Sequence, residues 1–197
     1  MNALSAKPRF TTRNITMIAV MAALSIVLVY LVRIPMFLPF LEYDPADIPI
    51  FITTFAFGPL VGFVLTVIVS VLQGLTVSAS SGIIGIMMHI VATGSFVLVA
   101  GNIYKRNKTR KNAIIALATG VGVMTGVMVI WNLIVTPWFM GVSVDEVLAL
   151  IVPAILPFNL VKAGINAGIT FALYKSVGKL FRVQPIVKKN KECPAEK

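Results

Sequence analysis

Asn159, Lys162 and Asn166, in the stretch "FNLVKAGIN", are spaced i, i+3, i+7 and share one face of a helix. Amides donate and accept hydrogen bonds, and an ammonium group donates three. Such a face suits recognition of a polar edge or an anion. It lies in an apolar stretch with no carboxylate nearby in sequence. A lysine at the centre of a membrane helix costs about 2.5–3.5 kcal/mol, so it calls for a partner. The available acids are Glu42, Asp44 and Asp47, far upstream in "LEYDPAD". Either that segment folds down to meet Lys162, or a ligand does. Two further polar clusters lie at comparable depth. Asn132 sits beside Trp131 with Thr136 one turn on, and His89 shares a face with Thr93 at i, i+4. Both have plainer readings: Asn132 can hydrogen-bond another helix, and His89 can be a satisfied interior histidine.

The elements that must position these groups follow from composition. The 197 residues are 58% hydrophobic and only 12% charged, with a mean hydropathy of +0.94. A soluble domain has about a quarter of its residues charged. Apolar stretches recur along the whole chain, which identifies an all-α, polytopic membrane protein. The net charge of +10 gathers at the ends of apolar segments. That is the pattern of membrane topology and contact with the lipid bilayer rather than of nucleic-acid binding. Cys193 is the single cysteine, so no internal disulfide forms. The apolar run Ile15–Val32 is longer than a signal-peptide core and is read as a retained first helix.

Five apolar stretches stand out: Asn14–Val32, Asp47–Leu72, Ile83–Tyr104, Asn112–Phe139 and Val152–Leu180. Charge asymmetry divides the second. The N-terminus carries Lys7, Arg9 and Arg13 and is expected in the cytoplasm, whereas the acidic segment around Glu42 and Asp44 faces outward. Lys105, Arg106, Lys108, Arg110 and Lys111 place the next basic loop inside. An odd number of crossings must separate the two loops, so the chain turns at Phe57-Gly58-Pro59. Six helices result, with both termini cytoplasmic. The second helix, Asp47–Phe57, spans only about 16 Å, with Asp47 as its expected N-cap. The preceding segment, "RIPMFLPFLEYDP", is too apolar for a solvated loop and is expected to cap the outer mouth of the bundle. Pro153 and Pro157 predict an irregular outer end for the last helix.

Small-residue pairs recur at i, i+4: Gly58/Gly62, Gly122/Gly126 and Gly164/Gly168. Such pairs predict close internal helix packing. Ala19, Ala22 and Ala23 form a smooth cluster on the first helix that could instead dock a membrane partner. The polar groups converge from the outer loop and the last three helices, with Phe37, Phe40, Tyr43, Trp131, Trp138 and Phe158 at hand. Together they describe a pocket for a flat ring with a polar, imide-like edge and a hydroxylated tail.

Two stretches then carry a family resemblance. "FLPFLEYDPADIP", followed by a short helix, and "PFNLVKAGIN" on the last helix resemble the riboflavin-binding S components of energy-coupling factor transporters. The Ala19–Ala22–Ala23 cluster resembles the alanine motif of such components, and the likeness runs from about Asn14 to Leu180. It implies six helices with a long first extracellular loop capping an outward-facing pocket. It implies riboflavin as substrate, with flavin mononucleotide or analogues as further ligands. Site residues by this likeness are Leu41, Glu42, Tyr43, Asp44, Asn132, Asn159 and Lys162, and His89 is added from its depth alone. The alanine face would meet a transmembrane coupling subunit that carries two ATP-binding subunits. The chain then divides into a basic cytoplasmic N-terminus (1–13), a substrate-binding membrane domain (14–180) and a cytoplasmic polar tail (181–197).

The residues support this division of labour. No phosphate-binding G-x-x-x-x-G-K-[ST] motif occurs, and Gly178-Lys179 is followed by leucine. An enzyme would need a nucleophile with a base, a carboxylate pair or a metal cluster. One histidine, one tail cysteine and no acid inside a span argue against that. No metal or resident cofactor is expected. The competing readings are a proton- or sodium-coupled carrier, a solitary facilitator, and an S component for another vitamin such as thiamine, biotin or folate.

Overall fold

The computed structural model describes residues 12–181. The basic N-terminus before Thr12 and the polar tail after Phe181 lie outside the described residues, Cys193 included. The chain forms α1 (Thr12–Leu31), strands β1 (Ile34–Met36) and β2 (Leu38–Tyr43), α2 (Asp47–Phe57), α3 (Pro59–Leu75), α4 (Gly82–Arg106) and α5 (Arg110–Met140). The last rod is continuous through α6 (Val144–Leu150), a π-helical turn (Ile151–Ile155) and α7 (Leu156–Phe181). Six apolar helical rods therefore make an all-α bundle. Those formed by α4, by α5 and by the α6–α7 rod are long enough to cross a membrane, and α1, α2 and α3 are shorter.

The turn between α2 and α3 falls where charge counting requires it. Gly58 has φ 100° and ψ 170°, a conformation that side chains disfavour. Pro59 opens α3 at a position whose N–H would have no partner. Asp47 does not cap α2. Ala46 holds the cap position without a side-chain bond, while Asp47 is the first helical residue and completely buried. Its carboxylate is drawn inward because donors from α4 and α7 wait there.

The segment expected to cap the bundle is a two-stranded antiparallel hairpin. Ile34 pairs with Tyr43 and Pro35 with Glu42, and Phe37 turns the tip with φ 63°. Alternation along β2 sends Leu41 and Tyr43 inward. Leu41 packs on Ala154 in the π-helical turn and Phe158 in the first turn of α7. Arg33 pins the hairpin from its base. It pairs with Glu42 and donates to the Val77 carbonyl at 2.7 Å.

Pro153 lies inside the π-helical turn, which accommodates its missing N–H, as the two prolines predict. Side chains cap the starts of α5 and α6. Thr109 accepts from Asn112 N at 3.3 Å, and Ser143 accepts from Glu146 N at 3.3 Å.

The core draws on all six rods, with α2, α3 and α4 meeting at its centre. Phe51 stacks on Phe96 with centroids 3.7 Å apart. A side chain at Gly62 would strike Thr54 Oγ1, and one at Gly101 would meet Pro59 and Thr54. The packing expectation holds for Gly62 but not for Gly58 or for the other two glycine pairs. Gly122, Gly126, Gly164 and Gly168 have open space where a Cβ would stand, so they face outward on α5 and α7. Spacing defines a shared face but not what the face meets.

Candidate functional site

A cavity of about 150 Å3 opens between the hairpin, α3, α4, α5 and α7. By volume it holds on the order of ten waters or one small organic group. Lys162 lines it from α7. Its Nζ donates to Asp44 Oδ2 at 2.7 Å, with both side chains mostly buried. The loop therefore folds down to meet Lys162, as the first of the two sequence alternatives has it.

The loop is held by a connected set of bonds. Asp44 Oδ1 accepts from Ala46 N at 3.1 Å, a local turn that aspartate favours. Asn166 Nδ2 donates to the Asp44 carbonyl at 3.2 Å and reaches Asp47 Oδ2 at 3.4 Å. Tyr43 donates its hydroxyl to Asn166 Oδ1 at 3.0 Å. Burial pushes the Tyr43 hydroxyl above its ordinary pKa, and the Asp44 carboxylate adds to the rise, so it remains a neutral donor. Asp47 Oδ1 accepts from Thr93 Oγ1 at 2.8 Å. His89 Nε2 lies 3.2 Å from the same oxygen, and His89 Nδ1 meets Ser70 Oγ at 2.6 Å. Breaking a buried ion pair is costly, and bonds from Ala46 and Asn166 help to hold the Asp44 side of this one in place.

Of the sequence-derived site residues, Leu41, Glu42, Asp44, His89, Asn159 and Lys162 all line the cavity. Tyr43 lies behind the lining, committed to Asn166. Asn132 does not reach it. Its Nδ2 donates to Met128 O at 2.7 Å and its Oδ1 accepts from Thr136 at 2.8 Å, so its own helix absorbs it. Asn159 Nδ2 donates to Ile155 O at 2.7 Å, which leaves Oδ1 available. The Phe40 side chain lies outside the described residues, and the other expected aromatics divide. Phe158 lines the cavity, but Trp138 and Phe37 are exposed. Met88, Met124 and Met128 supply apolar lining instead, and methionine adapts well to a flat guest.

Sequence reasoning missed the contribution of α3, where Ser70 and Gln73 line the cavity. Their i, i+3 spacing on an otherwise apolar helix was the available signal. The alanine cluster divides. Ala19 and Ala23 are exposed on α1, whereas Ala22 is buried in the core and unavailable to a partner. Among the described residues no group of histidine, cysteine, aspartate or glutamate could hold a metal ion. The arrangement lines one cavity with cations, carboxylates, amides and hydroxyls beside apolar side chains.

Comparison with known proteins agrees with this geometry. The family model "ECF transporter, substrate-specific component" matches residues 13–174. The chain is 27% identical to the riboflavin transporter RibU of Staphylococcus aureus (strain TCH60), covering 86% of this chain and 93% of the relative. It is 30% identical to the riboflavin transporter FmnP of Bacillus subtilis (strain 168), covering 68% and 74%. A solved S component of a bacterial ECF transporter superposes with a TM-score of 0.74 at 26% identity, over 86% of this chain and 98% of that one. Six apolar rods, a hairpin cap and a match running through almost all of the described residues lead to one conclusion: the chain belongs to the family of substrate-specific components of ECF transporters, as a multi-pass membrane protein.

Proposed function

We propose that this chain captures riboflavin, with flavin mononucleotide or analogues as further ligands, for uptake by an ECF-type vitamin transporter. The observation that carries the reading is the α7 wall of the cavity. Lys162 uses one N–H on Asp44 and keeps two donors, and Asn159 Oδ1 is a free acceptor one turn away. Donors beside an acceptor match the alternating C=O and N–H groups of a flavin's pyrimidine edge. Leu41, Met88, Met124 and Phe158 offer apolar surface for the ring faces. Relatives named riboflavin transporters support the choice of vitamin. Asp44, His89, Asn159 and Lys162 make the polar part of the site, with Leu41 and Glu42 at its cap. Tyr43 positions the loop, and Asn132 stiffens α5 behind it.

In this reading riboflavin is cargo, and the protein carries no resident cofactor and no catalytic activity. Energy comes from two ATP-binding subunits joined through a transmembrane coupling subunit, which docks on the exposed Ala19 and Ala23. Both termini lie in the cytoplasm and the hairpin faces out. Purifying the protein in detergent tests the substrate. A yellow preparation with flavin absorbance bands is expected. A colourless one whose tryptophan fluorescence ignores added riboflavin sinks the reading.

A further inference from the structure

Gln73 ends the polar stripe of α3. It is 8% exposed, lines the cavity, and its Oε1 is buried without a hydrogen-bond partner. An unpaired buried carboxamide oxygen costs about 1–3 kcal/mol. Its neighbours do not relieve it. Ser70, one turn earlier, is already committed to Thr66 O and His89. The Gln73 backbone carbonyl, not its side chain, receives the Ser78 N–H at 2.8 Å. A polar atom left unsatisfied at a cavity wall marks a position where a guest supplies the bond.

The chemistry of that wall differs from the α7 wall. Lys162 is a cation and donates only, whereas Gln73, Ser78 and Ser81 on the α3–α4 side are neutral groups that both donate and accept. Hydroxyl groups also donate and accept, so a polyol is matched by neutral groups of this kind. Met88 and Met124 contribute apolar lining to the same cavity.

Resting on the flavin reading above, we infer that Gln73 is a specificity-determining residue. It recognises the polyhydroxylated side chain of the ligand rather than its ring, with Oε1 accepting from a ligand O–H. The ring edge is left to Lys162 and Asn159. The site thus has two polar poles, one that selects the flavin ring and one that selects the sugar-alcohol tail.

Two ligands that share the ring and differ in the tail separate these roles. Full-length Gln73→Leu protein, purified free of flavin, is titrated with riboflavin and with lumiflavin, in which a methyl replaces the ribityl chain. Tryptophan quenching is the readout. Loss of one buried hydrogen bond predicts that riboflavin affinity falls about tenfold, while lumiflavin affinity stays within about twofold of wild type. Undiminished riboflavin binding overturns the inference, and so does an equal fall for both ligands. Gln73→Ala carries the same comparison if the leucine variant does not insert. Lumiflavin binding by either variant reports that the ring site is folded. Wild-type protein that binds neither flavin would instead remove the flavin reading itself.

Discussion

Lys162 is half of the one ion pair that joins the hairpin to the membrane interior among the described residues. Removing one partner of a buried pair leaves a charge unpaired, at a cost of about 3–5 kcal/mol. Lys162→Met and Asp44→Asn are each expected to lower the unfolding midpoint in detergent. The double variant should lose less than the sum of the two, because neither charge is then stranded. Additive losses would show that the two groups are not coupled. Tyr43→Phe removes a single neutral bond to Asn166 and should cost about 1 kcal/mol, measured by the same unfolding curves. The sequence revealed that Lys162 needs a partner, because no acid lay inside a span. It could not reveal which acid, since that depends on where a loop of prolines and aromatics comes to rest. Asn132 shows a related limit: an amide on a helix can bond its own preceding turn, as it does here, and spacing does not distinguish that from an amide turned to a ligand.

Helix count and helix ends were largely legible. The short α2 has the bounds that charge counting and Gly58-Pro59 imply, because topology and proline chemistry are written locally. The hairpin was legible only as a segment too apolar to be solvated, since strand pairing across a one-residue tip depends on long-range contacts. Gly58→Ala places a side chain at φ 100° with no atom in its way. Its cost is therefore purely conformational, about 1–3 kcal/mol. Gly62→Ala drives a Cβ into Thr54 Oγ1 and should be the more damaging of the two in thermal unfolding. Gly164→Ala meets open space and should leave stability near wild type. A large loss there would mean that α7 packs against something in the membrane at that position.

At the scale of the whole molecule, binding and transport are separable. Ala19 and Ala23 are exposed on α1, away from the cavity lining. Replacing either with tryptophan should leave riboflavin binding by the purified protein intact while cellular uptake falls. Loss of binding would mean that this face supports the pocket. Ala22 belongs to the core, so its enlargement should damage folding instead. What the bundle does rests on whether the α7 wall holds the ligand itself or only the hairpin that covers it. Riboflavin titration of wild-type, Lys162→Ala and Asn159→Ala proteins decides this, with tryptophan quenching as the signal. Wild type should quench to saturation. Each variant should insert normally and bind at least about tenfold more weakly, the loss expected for one hydrogen bond to a charged or buried group. Variants that bind riboflavin as tightly as wild type would contradict the account and place the ligand elsewhere.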